Sequence, residues 1–309
     1  MVAARQNSFD LPRVGLGTWP FGGGYDWGSL DETSAQQAVF AALDNGINFI
    51  DTAPVYGDGT SEEFLGRVLA GRRAQVILAS KCGLVKNGSW TDHDLRPQTI
   101  RTQLENSLFR LKTDCLDLYQ IHYPDPKIPL QDAVGELVRL QEKGLIREIG
   151  LCNVNAAQLK EAAQVTKIFS VQNEFSLLHP QAGQQVFETS VTCKVKFIGY
   201  GVLCGGILSG KYKTAPNLRR ASARNYFYKC YRGPAFETAQ ISVARVRKLA
   251  QEKQVAPSAI AVAWALAQPA VSCVLFGARN ETQVKQNAAG LSVKLTPQEM
   301  QFLESENAN

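Results

Sequence analysis

The chain predicts a closed barrel of eight parallel strands wrapped by helices, a (β/α)8 TIM barrel of the α/β class, and three observations predict it. Eight short apolar runs recur along the 309 residues. A stretch of helical length with its own start and stop signals lies between most of them, the alternation that builds a parallel sheet. Polar residues stand where several runs stop, and the carboxyl ends of the strands are where a barrel keeps its chemistry. An open doubly wound sheet is the alternative, and the count of eight favours closure. No linker or low-complexity stretch divides the chain, so residues 1–309 are expected to form one domain.

The elements follow in order. The first strand is read over residues 14–18. Residues 21–30, with Gly22, Gly23 and Gly24, look too glycine-rich for regular structure. Asp31-Glu32-Thr33 opens a helix that reaches Leu43 and stops at Asn45-Gly46. Strands are read at 47–51 and 76–80, with a helix capped at Ser61-Glu62-Glu63 between them. Pro97 starts a helix that runs to Leu111, and the fourth strand spans 116–121. A helix at 129–143 ends at Gly144. Strands at 148–151, 170–173 and 196–200 alternate with helices from Asn155 and His179. Residues 212–234 form a long insertion after the seventh strand, and long insertions in compact domains tend to be functional. Helices from Phe236 and Pro257, a strand at 272–276, a helix from about Asn280 and a last one from Pro297 complete the series. Several strands are apolar on both faces, as expected when helices cover one side and a packed interior the other.

Composition excludes some functions. The net charge is +5 with basic residues spread along the chain, so a nucleic-acid partner is not expected. The seven cysteines include no C-x-x-C pair, which argues against a zinc framework or a disulfide scaffold and for a reducing compartment. The first residues lack the apolar stretch of a signal peptide. The longest apolar run, 259–267, ends at Gln268-Pro269 and is too short to span a bilayer. A cytoplasmic protein with no membrane partner and no metal is expected. Arg219, Arg220, Arg224, Lys229 and Arg232 in the insertion are read first as a solvated loop, with a cofactor lid as the alternative.

Four polar residues carry the chemistry. Asp51, Lys81 and His122 stand where apolar runs stop, and Tyr56 lies in the loop just after one. A free phenol has a pKa of about 10 and is a reluctant acid. A nearby ammonium is expected to lower that value by roughly one to three units. Asp51 would hold Lys81 charged and oriented, and His122 would donate to the oxygen that receives the proton. Such a set suits carbonyl reduction.

At this point the chain resembles the aldo-keto reductases over nearly its full length. Gly15-Leu16-Gly17-Thr18-Trp19 is similar to that family's first strand, and Asn48-Phe49-Ile50-Asp51-Thr52-Ala53 with Tyr56-Gly57 to its signature. Ser80-Lys81 and Ile121-His122 complete the tetrad. Gly150-Leu151-Cys152-Asn153 resembles a G-x-S-N motif, with cysteine in place of serine. Val171-Gln172-Asn173-Glu174, the run from Tyr200 to Lys211, and Gly277-Ala278-Arg279 with Gln283 and Asn287 resemble its cofactor-binding segments. The resemblance implies Tyr56 as general acid, Lys81 as its activator, Asp51 as the partner of Lys81, and His122 as the orienting donor. It implies NADP(H), with Gly17, Thr18, Trp19 and Asp51 among the cofactor contacts, Asn153 and Gln172 on the nicotinamide carboxamide and Tyr200 stacked on its ring. Leu203, Gly205, Ser209 and Lys211 would line the pyrophosphate path, with Gly277, Arg279, Gln283 and Asn287 at the adenosine end. Arg279 at a helix start suits a 2′-phosphate. Trp19, Phe21, Tyr25, Trp27 and Trp90 are expected to wall a small carbonyl substrate.

Two other classes remain open at this point. One is a barrel aldolase that forms a Schiff base on Lys81, against which Asp51 argues by keeping the lysine charged. The other is a cofactor-binding regulatory subunit with the same fold and very slow turnover.

Overall fold

In the computed structural model, which describes residues 9–88, 90–218 and 222–305, eight parallel strands close into a barrel. They are β1 (Val14–Gly17), β2 (Phe49–Asp51), β3 (Ile77–Cys82), β6 (Leu116–Ile121), β7 (Ile146–Cys152), β8 (Ser170–Glu174), β9 (Lys196–Tyr200) and β10 (Val271–Gly277). A hairpin of β4 (Leu84–Asn87) and β5 (Trp90–His93) follows β3 and stands apart from the barrel. Around the barrel the hydrogen-bonded order is β1-β10-β9-β8-β7-β6-β3-β2, with β1 also paired to β2.

The register explains which side chains reach the interior. Gly17 pairs with Asp51, Lys81 with Gln120, and Cys152 with Gln172. Side chains alternate along a strand, so residues two apart share the inward face. One inward layer is apolar: Phe49, Ala79, Leu118, Ile198, Cys273 and Leu275 pack together, and Phe9 and Leu11 lie against them from the amino-terminal end. Gly15 makes room for this layer, because a Cβ there would come within 2.5 Å of the Phe49 ring. Two residues further along β2, β3 and β6 the interior turns polar, with Asp51, Lys81 and Gln120 joined by Gln172 from β8, all buried.

The helices form where capping and periodicity direct them. Asp31 accepts from the backbone N–H of Ser34 and starts the helix Glu32–Asp44. Asn155 and Thr296 each make a full capping box, with Gln158 and Glu299. Proline lies in the first turn of Pro97–Leu111, Pro257–Ala267 and Pro297–Glu304. The apolar run at 259–267 is explained by burial on nearly every side of Pro257–Ala267 within the outer layer. No described helix is long and apolar enough to cross a membrane.

Three expectations need correction. The glycine-rich segment after β1 is ordered: Trp19–Gly22 forms a 3-10 turn and Gly24–Trp27 a single helical turn. Left-handed φ angles at Gly23 and Gly24 connect the two, so the glycines permit structure there rather than prevent it. The insertion likewise holds a short helix, Ala223–Phe227, and a 3-10 turn, Lys229–Tyr231; Arg219 and Arg220 of its basic cluster lie outside the described residues. Finally, β3 extends past Ser80, so Lys81 lies within the strand and is pinned by ladder hydrogen bonds instead of ending it.

Candidate active site

The polar layer converges on Lys81. Its ammonium donates to Asp51 Oδ1 at 2.5 Å, to the Thr52 carbonyl at 2.9 Å and to Tyr56 Oη at 3.3 Å. Asp51 is 2% exposed and Lys81 1%. Burying such a pair costs several kcal/mol per ion unless the remaining lone pairs are satisfied. Here they are, because Gln120 Nε2 and Gln172 Nε2 each donate to Asp51 Oδ2 at 3.0 Å. Gln172 Nε2 also donates to Gln120 Oε1 at 3.1 Å, and the Cys152 thiol reaches the same oxygen at 3.6 Å.

Tyr56 leaves the barrel on the loop after β2, where the chain must turn sharply. Gly57 has φ of +65°, and a Cβ there would fall 2.1 Å from the Gly22 carbonyl oxygen. Only glycine permits that approach, and it aims the phenol back over the barrel mouth. His122 follows β6, its backbone N–H bonded to the Cys82 carbonyl at 2.9 Å, and its ring meets that of Tyr56 edge-on with centroids 6.1 Å apart. The four tetrad residues are therefore brought together.

Charge states follow from this packing. Burial works against the Lys81 ammonium, but Asp51 and then Tyr56 outweigh it, so the lysine stays protonated well beyond its usual range. Burial, followed by the Lys81 charge, drives His122 well below an ordinary histidine, so its ring is neutral at pH 7. Tyr56 departs from the expectation. Lys81 does pull its pKa down, but burial pushes it up more strongly and Asp51 adds to that, so the phenol lies above its ordinary value. A protein-crowded phenol loses more hydration than one ammonium restores. The site thus holds a loaded proton donor beside a fixed cation.

The neighbouring residues form two groups. Asn153, with a left-handed φ of 55°, donates to the His122 carbonyl at 2.9 Å and accepts from Tyr200 Oη at 2.8 Å. A cavity of about 250 Å3 opens there between Tyr123, Asn153, Glu174, Tyr200 and Phe227. Phe227 joins this cavity to the second group, where Trp19 lies 6.4 Å from the Tyr56 ring and packs edge-on against Trp27 at 5.4 Å and Phe227 at 5.6 Å. Tyr228 lies 6.3 Å from Trp19. Of the five expected wall residues, Trp19 and Trp27 are in this cluster. Phe21 is not: it is fully buried and packs against Phe64 at 5.2 Å, because the 3-10 turn points it into the core. Tyr25 (67% exposed) and Trp90 (78% exposed, on the hairpin) face solvent.

The expected cofactor residues stand at or after the ends of several barrel strands, β1, β9 and β10 among them. Thr18 faces inward, its hydroxyl donating to the Asp51 carbonyl at 2.9 Å. After β9 the backbone turns through left-handed Cys204, Gly205 and Gly206. Gly205 is held by Tyr231, whose hydroxyl donates to its carbonyl at 2.6 Å. Ser209 Oγ donates to the Gly206 carbonyl at 2.7 Å, and the Lys211 ammonium approaches to 3.2 Å of where a Gly206 Cβ would stand. An exposed cation over bare backbone suits a diphosphate. At Gly277, which directly follows Phe276 in β10, a Cβ would meet Pro20 at 3.1 Å. Beyond it Arg279 donates from its backbone to Gln283 Oε1 at 2.9 Å and from its guanidinium to the Ser29 carbonyl at 3.0 Å. Asn287 is buried, its amide 3.4 Å from the Gly277 carbonyl.

The sequence reading missed Gln120, although Leu118, Gln120 and His122 share a strand face and the alternation could have revealed it. It also missed Tyr123, Phe227 and Tyr228. The last two come from the insertion, and no local pattern marks them.

With this geometry in hand, the comparisons agree. The Aldo/keto reductase family matches residues 13–308. The chain is 37% identical over 281 residues to aldo-keto reductase YhdN of Bacillus subtilis (strain 168), covering 89% of this chain and 84% of that protein. Its fold superposes on the glycerol dehydrogenase AKR11B4 from Gluconobacter oxydans with a TM-score of 0.85 and 34% identity, covering 98% of this chain and 94% of that one. An aldo/keto reductase from Klebsiella pneumoniae, solved with NADP and acetate, superposes at 0.73 with 25% identity over 95% and 90% of the two chains. An eight-stranded barrel with this polar centre defines a nicotinamide-dependent oxidoreductase of carbonyl and alcohol groups. The chain belongs to the aldo/keto reductase family.

Proposed function

We propose that this chain reduces aldehydes and ketones to alcohols with NADPH and that Tyr56 supplies the proton. The observation that carries the reading is the Lys81 ammonium, which lies between Asp51 Oδ1 and Tyr56 Oη at the barrel mouth. The reduced nicotinamide, when bound, supplies the hydride. Tyr56 donates its proton to the substrate oxygen as negative charge grows there, and Lys81 stabilises the phenolate left behind. Asp51, held by Gln120 and Gln172, keeps Lys81 charged and in place. His122, neutral, donates a hydrogen bond to the same oxygen and fixes its direction. A lysine held permanently charged is in the wrong state for a Schiff base, which weighs against the aldolase alternative.

The residues present fit a dinucleotide. Tyr200 offers a ring face, Asn153 offers a second amide hydrogen beside the one given to His122, and the Gly205-Gly206 turn with Lys211 offers open backbone and a cation to a diphosphate, while both amide hydrogens of Gln172 are taken by Asp51 and Gln120. Arg279 stands just ahead of the helix Glu281–Ala288, and its guanidinium matches a 2′-phosphate, which favours NADPH over NADH. Trp19, Trp27, Phe227 and Tyr228 suit a substrate with an apolar or aromatic group beside its carbonyl. The name of the similar glycerol dehydrogenase adds small hydroxylated carbonyls to the panel worth testing.

The test follows loss of reduced-nicotinamide absorbance over a panel of aldehydes, ketones and sugars, with wild type and Tyr56→Phe. Wild type should turn over at least one class. Tyr56→Phe should lose nearly all of that activity and keep its NADPH affinity, and retention of a tenth or more of the rate would overturn Tyr56 as donor.

A further inference from the structure

One cluster of reactive side chains has no part in this chemistry. Cys204 begins the left-handed turn after β9, and Cys230 lies in the turn Lys229–Tyr231 of the insertion. Their sulfurs are 2.7 Å apart. A ring nitrogen of His179 joins them, all three atoms lying within 4.8 Å of one another. Glu174 stands at the end of β8, its charge felt at both His179 and Cys204. Glu174 Oε1 and His179 Nε2 are both buried without a hydrogen-bond partner.

We propose that Cys204 and Cys230 are a redox site, forming a reversible disulfide when a small hydroperoxide reaches them. The pair is chemically asymmetric. The Cys204 thiol and then His179 pull the Cys230 sulfur down to about 6, against its burial, while the Cys204 sulfur is pushed well above an ordinary thiol. Placement points the same way: His179 hydrogen-bonds Cys230 and favours its thiolate, and Cys230 keeps slight exposure while Cys204 has none, so Cys230 is the nucleophile and Cys204 the resolving thiol. The Cys230 thiolate attacks one peroxide oxygen, the O–O bond breaks, and the alcohol leaves after taking up a proton. Cys230 is then a sulfenic acid. The Cys204 sulfur attacks the Cys230 sulfur and its hydroxyl leaves as water, with His179 placed to take the Cys204 proton. In sum, two thiols and one hydroperoxide give one disulfide, one alcohol and one water. The sulfurs lose two electrons and the peroxide gains them. A dithiol reductant reverses the step.

Geometry favours the disulfide over a bound metal. Two thiolates on one tetrahedral zinc, each about 2.3 Å from the metal, stand nearly 4 Å apart, and these sulfurs are much closer. Both cysteines are buried, which favours a small peroxide as oxidant and excludes bulky reagents from the folded chain. The bond has a consequence that rests on the NADPH reading above. It would fasten Lys229–Tyr231 to the glycine turn that Tyr231 already holds, and so slow cofactor release.

The test exposes the 309-residue chain to hydrogen peroxide and reads intact mass, peptide linkage and the NADPH release rate. The expected product is lighter by two hydrogens and joins the peptides carrying Cys204 and Cys230. After unfolding, Cys82, Cys115, Cys152, Cys193 and Cys273 should remain alkylatable. Cys204→Ser and Cys230→Ser, or the Ala variants if these fold poorly, should each abolish the link. NADPH release should slow several-fold on oxidation and recover with dithiothreitol. A peroxide-treated chain in which both cysteines still alkylate would overturn the proposal. So would one equivalent of zinc in the purified chain that shields both thiols. A disulfide that leaves NADPH release unchanged would overturn the fastening role. A disulfide in a chain that binds no NADPH would support the redox site and defeat the cofactor reading instead.

Discussion

Lys81→Met tests the centre of the argument because it leaves shape nearly intact and removes one charge. At the observed 3.3 Å from Tyr56 Oη, an ammonium and a full phenolate attract by about 5 kcal/mol at an effective dielectric of about 20. A transition state with roughly half the proton transferred would feel about half of this, ~2.5 kcal/mol, or close to 70-fold in rate. The same change strands Asp51 as a buried carboxylate without its cation, which costs about 3–5 kcal/mol, nearer the lower figure because Gln120 and Gln172 still donate to it. For a chain of 309 residues that converts to a melting point lower by about 5 °C. The assays are kcat for reduction, NADPH affinity by fluorescence, and a thermal scan at fixed rate. The expected pattern is a loss of kcat of at least 50-fold, a lower melting point and unchanged NADPH affinity. A variant that folds normally and keeps kcat within threefold would refute the claim that this ammonium stabilises the developing phenolate.

Two further outcomes follow from the same charges. Because burial holds the Tyr56 phenol above its ordinary value and His122 well below its own, neither group changes state near neutrality. Reduction kcat/KM should therefore be level from about pH 6 to 8 and fall only in alkali as the phenol loses its proton, with oxidation of the alcohol rising over that range; a reduction rate that halves between pH 6 and 7.5 would contradict the assignment. Arg279→Ala removes a charge-assisted contact worth about 1.5–3 kcal/mol, so NADPH should weaken by roughly 10- to 150-fold with NADH changing less than threefold. Equal losses measured for both cofactors would end the 2′-phosphate argument.

The barrel strands were legible because short apolar runs bounded by turn residues leave little else for the backbone to do. The start of the third strand was read within a residue, but its end was not, since Lys81 looked like a stop. A lysine within a buried strand is stable only because Asp51 crosses from β2 to meet it, and that pairing is a tertiary fact. The aromatic wall was half legible for a similar reason. Trp19 and Phe21 are two residues apart in one glycine-rich stretch, and only the 3-10 turn decides that Trp19 faces the cleft while Phe21 packs on Phe64. Trp90 was placed on a loop but lies on a hairpin whose strands are too short and polar to stand out. The acidity of Tyr56 was misjudged because a sequence shows a cation but not the crowding that opposes it. Cys204 and Cys230, 26 residues apart, gave no pairing signal.

The alternation along each strand separates folding from chemistry. On β2, β3, β6 and β9, Phe49, Ala79, Leu118 and Ile198 fill the apolar layer, and Asp51, Lys81, Gln120 and Tyr200 follow two residues later. The same backbone ladder therefore sets both positions, so a defect in the apolar layer must displace the polar one. Because packed interiors do not deform smoothly, the 2.5 Å and 3.3 Å separations at Lys81 are held by Phe49 and Leu118 as much as by the charges themselves. This is why an expensive buried ion pair can persist here. The strands that position it are stabilised by apolar burial one layer below, and the amides of Gln120 and Gln172 need only satisfy the carboxylate, without having to hold the barrel together.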